Sequence, residues 1–461
     1  MKENLKSHLS EVVNLLDNNQ SVSQVLKSNR PTEIKSTLNK TLNSEGISFN
    51  QLLSDLEKEI LPYINRNTDP RFAAYITGSG NPIGAIAEFI KGYYNQNGLK
   101  WNNSPIANEL EQLVIRWVAE FVGLPDHSSG LLTSGGSMSN YLGLHFALAA
   151  KFPQREMDGL MGAKGLTVYC SNQSHSSIER SMVFLGLGRS NLRKIDVDCE
   201  FKIDVNKLRS QLIEDIESGL QPLAIIGNAG TTNVGAIDDL EKLAQIAKEF
   251  NTWYHVDGAY GLPARNLLEL SSKFDGIEHA NSIIINPHKW MYVPFEASCI
   301  LLKQIPKAIH FEPDYLYTAN KEDRWESSEH TIELTKEFRA LKVWFTMKFY
   351  GTNKLIEFIR HDIEMTNYLA SKLEKVKYFV VERVHPLSIL CFRYENDNLT
   401  EEQNEITNQK ALLKIENEGL IFITGTKLHG KTYMRAYFGN PDRTKKDVDY
   451  MVGEILASIK Q

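Results

Sequence analysis

Short apolar runs alternate with helical periodicity through the middle of the chain, while its two ends follow other patterns. Residues 1–81 carry apolar side chains at Leu9, Val12, Val13 and Leu16 and again at Leu52, Leu53, Leu56 and Ile60, the spacing of amphipathic helices. This segment reads as a helical appendage packed on the body or on a second subunit. Over 82–341, helical patterns at 107–121 and 240–250 alternate with β-rich runs at 166–169, 223–226, 253–256 and 282–285. Such alternation predicts a mostly parallel sheet wrapped by helices, an α/β large domain. Over 342–461 a long helix through Phe358 and Leu369 gives way to strands at 378–384, 388–394 and 432–438, a small α+β domain.

The ends of the central runs carry the chemistry. The run Ser282-Ile283-Ile284-Ile285 leads into Asn286-Pro287-His288-Lys289-Trp290, and the run at 253–256 ends on Asp257-Gly258-Ala259-Tyr260. The run at 223–226 continues into Gly227-Asn228-Ala229-Gly230-Thr231-Thr232. In an open α/β sheet, ligands collect beyond the carboxyl ends of parallel strands, where a lysine amine can act as a nucleophile. Upstream, Thr133-Ser134-Gly135-Gly136-Ser137 joins Leu131-Leu132 to a helical run at 141–150. That turn suits a single phosphate at a helix N-terminus, or simply caps the helix; it is neither GxGxxG nor a Walker loop.

Composition narrows the partners. The 461 residues are 42% hydrophobic and 23% charged, with a formal net charge of −6, which gives no basic footprint for nucleic acid. The N-terminus leads into no apolar signal core, and no stretch approaches the roughly 18 apolar residues of a membrane span. Cys170, Cys199, Cys299 and Cys391 form no CxxC pair, so neither disulfides nor a metal centre are expected, and a reducing, cytoplasmic setting is.

A phosphate cradle, an amine, a carboxylate and nearby rings together describe a site for pyridoxal 5′-phosphate. In it Asp257 faces the pyridine nitrogen and favours the protonated ring. The motifs Asn286-Pro287-His288-Lys289-Trp290, His255-Val256-Asp257-Gly258-Ala259-Tyr260 and Asn172-Gln173-Ser174-His175-Ser176-Ser177 resemble signatures of the group II pyridoxal-phosphate-dependent amino-acid decarboxylases. This is the family of the aromatic-L-amino-acid and glutamate decarboxylases, and the likeness runs from about Pro70 to the C-terminus. It implies the aspartate aminotransferase-like fold type I, a homodimer, and conversion of an L-amino acid to its amine and carbon dioxide.

Carried over by that resemblance, Lys289 is the Schiff-base lysine, Asp257 the pyridinium partner, and His175 and Ala259 flank the ring. Gly135, Gly136, Ser137 and Asn286 hold the phosphate, Thr232 and His288 line the site, and Thr335 reaches the phosphate of the neighbouring subunit. Tyr315, in a polar stretch resembling the family's catalytic loop, is the proton donor to the carbanionic carbon. Arg435 approaches the substrate carboxylate, while Tyr75 and Asn97 fall in stretches that line the substrate pocket. Asn97 stands where an aromatic-specific member has an aliphatic residue, which leaves aromatic, acidic and small polar substrates open. An aldehyde synthase or an aminotransferase on the same fold, and a nucleotide-binding or scaffolding protein without chemistry, are the alternatives.

Overall fold

The computed structural model describes residues 5–18, 24–27, 31–38, 42, 44–161, 163, 165–306, 324–382 and 386–460. Its larger sheet has seven strands: β1 (Ser129–Thr133), β2 (Leu166–Ser171), β3 (Leu192–Ile195), β4 (Gln221–Asn228), β5 (Trp253–Asp257), β6 (Ser282–Ile285) and β7 (Ser298–Leu302). They lie in the order β1-β7-β6-β5-β4-β2-β3. All neighbours pair in parallel except β7, which runs antiparallel to both β1 and β6. No helix intervenes between β6 and β7, so the chain turns back directly instead of crossing over.

The apolar runs have no polar alternation because both faces of this sheet are covered. Ile283 and Ile285 pack into one core, and Ile284 between them packs into another with Leu142 and Phe146 of the helix Gly136–Lys151. Successive residues of a strand face opposite ways, so burial on both sides yields an unbroken apolar run. Each such side chain contributes roughly 1.5–3 kcal/mol when taken from water.

A second sheet, β10-β11-β9-β8, is built from β8 (Phe379–Glu382), β9 (Ile389–Tyr394), β10 (Thr424–Leu428) and β11 (Lys431–Tyr437) and is antiparallel throughout. Leu390 and Phe392 face Leu369 and Ile415 of its own helices, while Ile389 and Cys391 join the main core. The helix Ala340–Leu373 arrives there with a break at Gly351, whose φ of 68° is left-handed and suits glycine.

The N-terminal segment departs from the helical expectation at its end. Helices occupy Leu5–Asn18, Pro31–Thr37 and Phe49–Asp55, but residues 72–79 form no helix. Ala73 N–H donates to Phe422 O, Tyr437 N–H to Ala73 O, and Ser79 N–H to Gly439 O, at 2.8–3.0 Å. These partners lie more than 340 positions away in sequence, and local periodicity carries no signal for them. No described helix is long and apolar enough to cross a membrane.

Candidate active site

The carboxyl ends of β1, β4, β5 and β6 share one edge with the amino end of β7: Thr133 pairs with Ser298, Ile285 with Cys299, and Asn228 with Asp257. Just beyond this edge lies a cavity of about 640 Å³, ample for a small cofactor and part of a substrate. Lys289, Asp257, His175, His288, Thr232 and Ala259 line it. Gly135, Gly136, Ser137 and Asn286 line it too. Tyr75, Asn97, Thr335 and Arg435 are not among its lining residues, and Tyr315 lies outside the described residues.

The phosphate turn is built as an open helix end. The helix starts at Gly136, five residues before the helical run legible in the sequence, and Gly135 supplies no side-chain cap. Its first N–H groups therefore remain for a ligand. A Cβ on Gly136 would come within 2.8 Å of the Asn286 amide nitrogen, so glycine leaves the cradle clear. The Asn286 carboxamide is held from below: Ser298 donates its hydroxyl to Asn286 Oδ1 at 2.7 Å, and Ser139 and Thr133 extend the line at 2.7 Å each. With its oxygen engaged, Asn286 turns its N–H₂ toward the glycine turn.

Burial lowers the pKa of the Lys289 amine, against the raising influence of the Asp257 charge. A lowered pKa increases the neutral, nucleophilic fraction. Asp257 accepts from Asn140 Nδ2 at 2.9 Å and from the Ala259 N–H at 3.1 Å, which hold it as a fixed negative partner. Burial, assisted by the Lys289 charge, pushes His288 down to about 3. Its Nδ1 accepts the Ala297 N–H at 3.1 Å, so the neutral ring carries its proton on Nε2. Phe295 packs 4.8 Å from that ring. The His175 ring is open to the cavity, yet loss of solvent around it lowers its pKa, with Asp257 opposing.

The remaining sequence candidates have other contacts. Arg435 is buried and gives Nη1 to the Thr232 carbonyl at 2.9 Å and Nη2 to Thr424 Oγ1 at 3.1 Å; it reaches the cavity only through Thr232. Tyr75 is 57% exposed and packs edge-on against Phe422. Asn97 is half-buried and does not line this cavity, and its Oδ1 accepts the N–H groups of Leu99 and Lys336 at 3.1 and 2.9 Å. Thr335 is exposed beside Lys336, whose buried amine meets Glu111 at 2.5 Å. Asn140, Asn228 and Tyr260 line the cavity without having been singled out. Asn140 in particular sits inside a helix 117 positions from Asp257, and only the fold brings the two together.

Comparison with known proteins gives concordant results. Residues 31–395 match the pyridoxal-dependent decarboxylase conserved domain. The chain is 31% identical over 431 residues to an aromatic-L-amino-acid decarboxylase of Bacillus atrophaeus, covering 92% of this chain and 88% of that protein. It is also 31% identical over 411 residues to a phenylacetaldehyde synthase of Petunia hybrida, covering 85% and 81%. In structure it superposes on Oryza sativa TDC, solved with PLP and tryptamine, with a TM-score of 0.94 at 24% identity, over 100% of this chain and 98% of that one. That likeness is one of fold, and it is the fold type I architecture expected of the large domain.

Proposed function

The chain belongs to the pyridoxal-dependent decarboxylase family, and from that premise we propose that it converts an aromatic L-amino acid to the corresponding amine and carbon dioxide, using pyridoxal 5′-phosphate carried on Lys289. The observation that carries this reading is a half-buried lysine amine of lowered pKa sharing one cavity with Asp257 and an uncapped helix end. Bound there, the cofactor supplies an electron-withdrawing ring that permits bond cleavage at the substrate α-carbon.

The protein's own groups do the rest. The N–H groups opening the Gly136–Lys151 helix and the Asn286 amide would hold the phosphate, and Asp257 would serve as the partner of the ring nitrogen. His175 and Ala259 would contact the ring, while His288 offers an N–H from a ring that stays neutral. Arg435 acts on the substrate side by fixing Thr232, and Tyr315 returns a proton to the α-carbon. Asn97 no longer argues against an aromatic side chain, since its oxygen is committed to two backbone N–H groups. Phe295, 53% exposed, offers such a side chain an apolar wall.

The proposal extends to a cytoplasmic homodimer divided as 1–81, 82–341 and 342–461. No residue of the helix Leu5–Asn18 is buried within one chain. Ile86, Phe89, Tyr93, Tyr94 and Ile106 also present apolar surface; a twofold interface would cover it. In that dimer Thr335, anchored through Lys336 to Asn97 and Glu111, reaches the partner's phosphate. All four cysteines are free, in keeping with a reducing compartment. The test is a screen of the twenty amino acids with pyridoxal 5′-phosphate, reading carbon dioxide, amine, ammonia and hydrogen peroxide. Amine and carbon dioxide in equal amounts from an aromatic substrate support the proposal. Aldehyde with ammonia and peroxide from the unaltered protein would reassign it as an aldehyde synthase.

A further inference from the structure

Behind the cavity, polar groups from two strands, two helices and the turn that holds His175 form one hydrogen-bond chain whose directions are all determined. The Trp253 indole N–H can only donate, and it donates to Ser282 Oγ at 2.8 Å. The Ser282 hydroxyl lies 2.7 Å from His255 Nδ1, and His255 Nε2 lies 2.8 Å from Asn140 Oδ1. Asn140 Nδ2 in turn reaches Asp257 Oδ2 at 2.9 Å and Ser177 Oγ at 2.8 Å. Ser177 Oγ lies 2.8 Å from His175 Nδ1, which also takes the Ser177 backbone N–H at 3.2 Å.

Both ends force the same polarity. From the acidic end, a carboxylate accepts only, so Asn140 must turn its N–H₂ to Asp257 and its oxygen to His255. His255 must then carry its proton on Nε2, leaving Nδ1 to accept the Ser282 hydroxyl. From the indole end, Ser282 already accepts from Trp253 and has its own O–H to place. His255 Nδ1 is the acceptor at hand, and any other arrangement strands a buried hydroxyl, since Ser282 is fully buried. At the branch, Ser177 accepts from Asn140 and donates to His175, which therefore also bears its proton on Nε2. The close approach of His255 to the phosphate-binding helix requires Gly143: a Cβ there would fall 2.5 Å from His255 Cε1.

We propose that Asn140 and His255 are positioning residues of this site, which with Trp253 and Ser282 form a one-way hydrogen-bond chain that keeps Asp257 an acceptor toward the cofactor ring and presents His175 to the cavity with its proton on Nε2. The device rests on the reading of the cavity as a pyridoxal 5′-phosphate site. It explains how an indole outside the cavity sets the state of two groups inside it. Reversal of the His255–Asn140 link would turn the Asn140 oxygen onto the Asp257 carboxylate, acceptor against acceptor.

The test uses the full-length chain labelled with ¹⁵N-histidine, before and after loading with pyridoxal 5′-phosphate. Long-range ¹⁵N–¹H spectra distinguish the two neutral tautomers, and the signals are assigned with His175→Gln and His255→Gln. The expected result is that both histidines are Nε2-protonated and neutral at pH 7 in the cofactor-free chain. In Trp253→Phe and Ser282→Ala, His255 shifts to the other tautomer or averages between the two. The dissociation constant for pyridoxal 5′-phosphate, from an absorbance titration, rises on the order of three- to tenfold in these variants and further in Asn140→Ala, while Ser282→Thr, which keeps the hydroxyl, stays near wild type. An Nδ1-protonated His175 or His255 in the unaltered chain overturns the proposal, as does an unchanged dissociation constant in both Trp253→Phe and Asn140→Ala. A chain that binds no cofactor at all refutes the functional reading instead, and the tautomers measured without cofactor still decide the hydrogen-bond chain.

Discussion

Trp290, the residue after the candidate cofactor lysine, donates its indole N–H to the fully buried Asp362 carboxylate at 2.9 Å. Tyr292 gives its hydroxyl to the same oxygen at 2.7 Å, and the Asn440 N–H reaches the other at 3.2 Å. One carboxylate on the helix Ala340–Leu373 thus fastens the segment that follows β6 to the loop after β11.

Asp362→Ala therefore strands three buried donors and leaves the nearby Arg443 charge without its counter-charge. A loss of about 3 kcal/mol or more is expected, read from urea unfolding of the cofactor-free protein. Cofactor release should quicken as well, because the segment bearing Lys289 loses its anchor.

Gly78 packs against the backbone of that same segment. A Cβ at this position would lie 2.2 Å from the Lys289 carbonyl oxygen and 2.7 Å from that of His288. Backbone cannot yield as a flexible side chain can, so Gly78→Ala should displace Lys289 and cut the decarboxylation rate at least tenfold with the fold retained. Circular dichroism beside steady-state kinetics checks both halves of that expectation.

The site was legible where chemistry follows directly on a buried strand. Lys289 and Asp257 sit within four residues of apolar runs at 282–285 and 253–256, and strand ends converge by topology. β7 was not read as a strand, although Ser298–Leu302 is wholly buried: a short apolar run has no periodicity of its own, and its antiparallel sense follows from the turn before it. β3, with Arg193 and Lys194 at the sheet edge, lacks the apolar signal altogether. Asn140 failed to declare itself for another reason, whereas Asn97 was read as a pocket residue and does not line the cavity. The sequence does not show what an amide inside a helix or loop meets, and the partners, Asp257 for one and Lys336 for the other, are supplied only by tertiary packing.

Acid should destabilise the protein through its buried imidazoles. Burial pushes His145 down to about 4 and His288 to about 3, whereas both return to about 6.5 on unfolding. The unfolded chain then binds more protons, so stability is complete above about pH 6.5 and falls as pH drops toward 4 for His145 and 3 for His288. At pH 5 each accounts for a loss of about 2 kcal/mol relative to pH 7. Urea unfolding at stepped pH should show this slope, and His145→Gln should reduce it by about half of the two-histidine contribution.

Tyr315→Phe should leave cofactor binding within about twofold of wild type, since the loss of one hydroxyl assigned to the proton-transfer step costs little in binding. Amine formation should drop while oxygen-dependent aldehyde, ammonia and peroxide rise, because the proposed proton donor to the α-carbon is gone. Product analysis in air and under nitrogen decides the matter; an unchanged amine yield would remove Tyr315 from that role.

The most direct measurement is to load the purified protein with pyridoxal 5′-phosphate, reduce it with borohydride, and map the modified peptide by mass spectrometry. The account predicts one phosphopyridoxyl group per chain on Lys289, absent from Lys289→Ala, which should also release no carbon dioxide from the substrate of the unaltered enzyme. Modification at another lysine, or sustained carbon dioxide release by Lys289→Ala, would contradict it.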